Sequence, residues 1–158
     1  MNTLILGLGN DLRGDDAIGF KIVDYIEQQK QYPGNISIAN LPAAGLNLIS
    51  YVSRYERVFI VDSVEVSDKQ VGSFWKLDPL ELAKIDLPVR ISHGVGIHTV
   101  LDVTQRIGFS NPRQVKFFLV GIRREKNIYT PYISEEISTE LKEKIPFISQ
   151  EIIKELTF

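Results

Sequence analysis

Three side chains in this 158-residue sequence could together perform chemistry that none performs alone: Asp16, Asp62 and His93. Two carboxylates and one imidazole form a small hard-to-borderline metal site that keeps positions open for water or substrate. Each residue also has an ordinary reading. Asp15 and Asp16 stand at the entrance of an expected helix, where acids cap the first turn and complement its dipole. Asp62 ends an apolar run and could be a turn residue, and a lone histidine is usually structural. The sequence sharpens the choice by what it lacks, having no cysteine and only two histidines, His93 and His98. Disulfides, thiolate zinc sites, iron–sulfur ligation and cysteine nucleophiles are thereby excluded. His98 follows His93 at an i, i+5 spacing, which does not stack side chains on one helical face. His93 is therefore the candidate, and His98 is expected to lie outside the site.

Other arrangements can be tested on the same residues. The stretch GLGNDLRGDDAIG, residues 7–19, has the glycine-rich look of a dinucleotide-binding turn. The fingerprint G-x-G-x-x-G, however, needs glycine where Leu12 stands, and two acids occupy the helix entrance where a phosphate would bind. Ser63 and Ser92 adjoin Asp62 and His93, yet neither lies in G-x-S-x-G, so a nucleophile elbow is absent. No H-E-x-x-H motif is present. A receiver domain would combine an acidic pair after the first strand with an aspartate after the third. It would also place lysine after the last strand, where this chain has Gly121, Ile122, Arg123 and Arg124.

The elements that must position these residues alternate between short apolar runs and helical stripes, the pattern of an α/β domain. Strands are expected over 3–8, 35–39, 57–61, 72–77 and 115–120, with the third stopping at Asp62-Ser63. Helices are expected over 16–29, 45–55 and 93–107 from apolar residues recurring three and four apart, and Asp78-Pro79 is expected to open a short helical turn through Lys84. A further helix is expected over 134–156, with Pro146 kinking or breaking it. The fold class expected is a three-layer α/β/α sandwich in one domain, residues 1–158. Its mostly parallel twisted sheet has about five strands, one of them antiparallel, and helices cover both faces. Ligands of such sheets bind beyond the carboxyl ends of the strands. That directs attention to 10–16, 40–45, 62–65 and 121–124. A hydrophobic content of 44% is enough for a sizeable core, and 18 Lys and Arg against 20 Asp and Glu argue against nucleic acid as the partner. No apolar run approaches the ~20 residues of a membrane span, and the N-terminus has no basic region before its apolar stretch. A cytoplasmic protein is the expectation.

In residues and order, the chain resembles the hydrogenase maturation proteases. GLGNDLRGDDAIG resembles that family's G-x-G-N-x-x-x-x-D-[DE]-x-x-G signature, with Asp16 at the acidic metal-contact position. PAAGLNLI, residues 42–49, resembles the glycine-containing second loop, VFIVDSVE the strand carrying the second acid, Asp62, and SHGVGIHTVL the segment carrying the metal-contact histidine, His93. GLGN alone is weak, since peptidyl-tRNA hydrolases also begin that way; the ordered set is specific. The resemblance implies an endopeptidase that trims the C-terminal extension of the nickel–iron hydrogenase large-subunit precursor. Nickel already installed in that substrate would be recognised through Asp16, Asp62 and His93, with substrate cysteine thiolates completing its ligands. Zinc or cadmium could substitute in crystals. Whether the reaction is metal-dependent or aspartate-dependent stays open at this point. A non-catalytic, nickel-dependent checkpoint binder on the same site is the second reading, and a receiver-like phospho-acceptor domain the third.

Overall fold

The computed structural model describes residues 1–42, 45–85, 97–123 and 136–157, with the backbone alone at 97 and 98. In chain order they form β1 (Thr3–Leu8), α1 (Ile18–Gln29), β2 (Ile36–Leu41), α2 (Leu48–Val52), β3 (Arg57–Val66), β4 (Phe74–Leu77), α3 (Pro79–Lys84), α4 (Ile97–Arg106), β5 (Gln114–Arg123), α5 (Thr139–Lys142) and α6 (Ile145–Leu156). The sheet order is β2-β1-β3-β5-β4, and only β4 runs antiparallel to its neighbour. β1 and most of β3 are apolar on both faces because helices cover both sides. One core joins Ile5, Phe59, Val61, Phe118 and Val120 to α1 and α6. The other joins Leu4, Leu6, Ile60, Val64 and Leu119 to α2, α3 and α4. The three-layer arrangement with an antiparallel edge strand is as expected from sequence. That edge, and the exchanged positions of the last two strands, separate it from the order 2-1-3-4-5 of receiver domains.

The differences lie at element ends. β3 does not stop at Asp62-Ser63; it continues to Val66 because β5 pairs with it throughout, as far as Val66↔Arg123. For the same reason Gly121 to Arg123 belong to β5 rather than to a loop. The helix expected from Asp16 is preceded by a 3₁₀ turn, Gly14–Ala17, and α1 itself starts at Ile18. The last expected helix is broken, as Pro146 required: α5 ends at Lys142, and Pro146 sits in the first turn of α6, where proline is tolerated. Glu136 to Ser138 are not helical. Ser134, Arg124 and the proposed helix start at His93 lie outside the described residues.

The crossings of the sheet create one special place. From β1 the chain moves outward to β2, whereas from β3 it moves to the other side, toward β4 and β5, so the topological switch lies between β1 and β3. There α1 enters against backbone with no room to spare. A Cβ on Gly19 would lie 2.4 Å from the Leu8 carbonyl oxygen and 2.5 Å from that of Val61. Backbone cannot retreat as a flexible side chain can. Gly19→Ala should therefore lower the unfolding free energy by about 1–3 kcal/mol in urea denaturation. Gly34→Ala, whose Cβ would meet nothing within 4 Å, should stay within about 0.5 kcal/mol of the parent. Equal stabilities would refute so close a seating of α1.

Candidate functional site

The two aspartates selected from sequence meet at this switch. β1 pairs with β3 only from Thr3↔Arg57 to Gly7↔Val61, while β3 runs on beside β5. Asp62 is thus the first residue of β3 beyond the end of the β1 ladder. The 3₁₀ turn carrying Asp16 fills the space that β1 vacates. Gly9 permits this: a Cβ there would come within 2.5 Å of the Asp16 carbonyl oxygen.

Both carboxylates are buried, Asp16 at 8% exposure and Asp62 at 1%. Ser63, which the sequence offered only as a rejected nucleophile, touches both. Its hydroxyl donates to Asp16 Oδ1 at 2.7 Å, and its backbone N–H donates to Asp62 Oδ1 at 2.7 Å. Strand alternation separates the two approaches: Asp62 falls with Ile60 and Val64 toward α2 and α4, Ser63 with Val61 toward α1. Burial pushes the Asp62 carboxyl from its ordinary 3.8 up to about 8. The Ser63 N–H pulls it partly back, and the Asp16 charge raises it further. Among the described residues, no cation contributes to that balance. Neither acid has a basic partner among the described residues, and two buried carboxylates form an oxygen donor set suited to a divalent ion.

Asp15 does not cap α1. Its carboxylate accepts the Ser138 N–H at 2.6 Å, at the N-terminal boundary of α5. Neither the 3₁₀ turn nor α1 has a side-chain cap, so the capping reading of Asp15 and Asp16 gives way to long-range contacts. Asn10 supports the same loop, its Oδ1 accepting the Leu12 N–H at 2.9 Å. His93 and Ser92 lie outside the described residues, as do the side chain of His98 and residues 43–44 of the second loop. Among the described residues, no group of three or more metal-ligating side chains assembles, and no helix is long and apolar enough to cross a membrane.

Comparison with known proteins adds the missing context. Residues 20–155 match the family described as hydrogenase maturation protease. The hydrogenase 2 maturation protease of Escherichia coli is 28% identical over 122 residues, covering 77% of this chain and 73% of that protein. The structure of the hydrogenase maturating endopeptidase HybD from E. coli superposes with a TM-score of 0.73 at 25% identity, covering 99% of this chain and 93% of that one. The [NiFe] hydrogenase maturation protease HybD from Thermococcus kodakarensis shares the fold, with a TM-score of 0.71 at 19% identity over 99% of both chains. The family match spans Asp62 and His93 and begins just after Asp16. On this match, the chain belongs to the hydrogenase maturation protease family and is a peptide-bond hydrolase.

Proposed function

We propose that this chain removes the C-terminal extension of a nickel–iron hydrogenase large-subunit precursor after nickel insertion, and that Asp16, Asp62 and His93 recognise the substrate-borne nickel. The observation that carries this reading is the pair of buried carboxylates at the sheet's switch point, which have no cationic partner among the described residues. A protein does not retain such a pair for stability, because a buried carboxyl beside a second acid opposes folding as soon as it ionises. A cation delivered by the substrate reverses that balance. His93 is proposed as the nitrogen donor because it shortly precedes α4 in sequence, and α4 packs Val100 into the same core face toward which Asp62 projects.

The donor set fits nickel in this role. Carboxylate oxygens and one imidazole are borderline ligands, and a chain with no cysteine leaves the thiolate positions to the substrate. A docked divalent ion would polarise a carbonyl or a water. What the chain itself contributes is placement. Asp16 keeps one carboxylate oxygen on Ser63 and has the other for a ligand or for a water proton, the role of a general base. Asp62, protonated at neutral pH while no cation is near, gives up its proton when one arrives. The whole reading belongs to a single cytoplasmic domain acting on a protein partner.

Incubation with nickel-loaded precursor, followed by mass measurement, should show loss of the C-terminal tail. Intact precursor, bound but uncut, would favour a checkpoint binder instead. Asp16→Asn, Asp62→Asn and His93→Ala should each reduce processing by at least about 100-fold with the fold retained by circular dichroism. Full activity in any one removes that residue from the role.

The pH dependence has a definite sign. The folded carboxyl of Asp62 holds its proton up to about 8, the unfolded one only to about 3.8. Between those values the folded state binds more protons, so stability falls as pH rises across the window. Asp62→Asn abolishes this contribution. With chelator present, the variant should match the parent near pH 4 and exceed it at pH 9, by on the order of a few kcal/mol. Parallel urea-denaturation curves for the two proteins across that range would contradict the buried, cation-free carboxyl.

A further inference from the structure

We infer that Ser63 is a positioning residue that makes each acid offer a single oxygen to the metal, and so biases the site toward ions of nickel's class and against calcium. This rests on the reading that Asp16 and Asp62 receive a metal, and it concerns how they are made to do so. Ser63 is only 3% exposed. It lies within the β3–β5 ladder, opposite Val120, so its backbone is fixed by the sheet rather than by a loop. From that one residue, two hydrogen bonds of 2.7 Å leave toward two different carboxylates, one from the hydroxyl and one from the N–H.

The consequence is chemical. A carboxylate that binds an ion through both oxygens must turn both toward it. Here Oδ1 of each acid already accepts a hydrogen bond, one from the Ser63 hydroxyl on the α1 face and one from its backbone N–H in the plane of the sheet. Among the described residues, neither acid's other oxygen accepts a hydrogen bond. Calcium takes six to eight oxygen ligands and draws heavily on bidentate carboxylates. Nickel and zinc take fewer ligands, with nitrogen or sulfur among them, and one oxygen per acid suffices. Hydrogen-bonded partners behind metal ligands typically change metal affinity by about 10–100-fold when removed. The Ser63 hydroxyl is the part of this arrangement that a side-chain substitution can delete, since the N–H to Asp62 belongs to the backbone.

The test uses the full chain with Ni²⁺ alone and Ca²⁺ alone, titrated calorimetrically into parent, Ser63→Ala, Ser63→Thr and Asp62→Asn. Ser63→Ala should weaken Ni²⁺ binding by about tenfold or more and shrink the ratio of Ni²⁺ to Ca²⁺ affinity. Ser63→Thr, which keeps the hydroxyl, should restore both. With nickel-loaded precursor, Ser63→Ala should raise KM more than it lowers kcat, because docking of the metal is what suffers. Unchanged affinity and selectivity in Ser63→Ala would overturn the inference, as would a folded Ser63→Thr that behaves like Ser63→Ala. Should threonine prove too large for the site, the alanine comparison still decides, since it removes one oxygen and adds nothing. A parent whose Ni²⁺ binding is insensitive to Asp62→Asn would overturn the metal reading itself. Parent binding that Asp62→Asn abolishes and Ser63→Ala leaves intact would overturn only the role of Ser63.

Discussion

A carboxylate in the interior of a buried strand is the constraint around which this molecule is arranged. Asp62 stands in a ten-residue strand whose other members before it are apolar, apart from Arg57 at its start. Burial of such a group is unfavourable unless it is neutral, hydrogen-bonded or paired with a cation. The structure supplies the first two: the proton is held by burial, and the Ser63 N–H satisfies one oxygen. The pairing of β1 with β3 ends one register position before Asp62, and the glycines at 9 and 19 let the Asp16 turn and α1 close over the gap. On the proposed function, the third provision, a cation, comes from the protein on which the enzyme acts.

Stability is secured away from this crevice. At the opposite end of β3, the buried Arg57 guanidinium lies 4.9 Å from the centre of the Phe59 ring and donates to the Glu155 and Leu156 carbonyls at the C-terminus of α6. A cation there complements the helix dipole, worth up to about 2 kcal/mol when partly buried. Lys76 bonds Glu151 and Glu155, and Lys116 bonds Glu155, tying the same helix to β4 and β5. These last pairs are partly solvated and contribute less each than the guanidinium. Their effect is to fix α6 on the sheet face that also carries α1. The Arg57 contacts lie at the end of the sheet opposite the two buried acids.

Local pattern revealed the elements, and partnership decided their ends. TLILGL and RVFIV read as buried strands because nothing in them tolerates water. The continuation SVEV reads as polar punctuation, yet Val64 and Val66 are buried on one face. The alternation of Val64 and Val66 with Ser63 and Glu65 fits a strand, but the charge at Asp62 interrupts the apolar run, and pairing with β5 settles it. Asp15 shows the same limit. An acid at a helix entrance suggests a cap, but its partner, the Ser138 N–H, is 123 residues away in sequence. Asp16 and Asp62 were legible because each punctuates a glycine-rich or apolar segment with a charge. Ser63 was not, since the roles sought for serine were nucleophilic, and donating to two neighbouring acids leaves no motif.

The absence of cysteine is the compositional counterpart of this geometry. Thiolates would bind nickel firmly and keep it. On the proposed reading, carboxylates that each offer one oxygen would bind it less firmly, and Asp62 would first have to surrender a proton. For an enzyme reading a metal that belongs to another protein, weak first contact is an advantage, because the ion has to leave with its owner. Tight binding would strip the substrate; no binding would leave loaded and empty precursors indistinguishable. A buried acid pair that is neutralised in part by a proton, and released from it by a cation, lies between those limits. The burial that makes Asp62 unfavourable for folding is therefore the same property that would make it responsive to nickel.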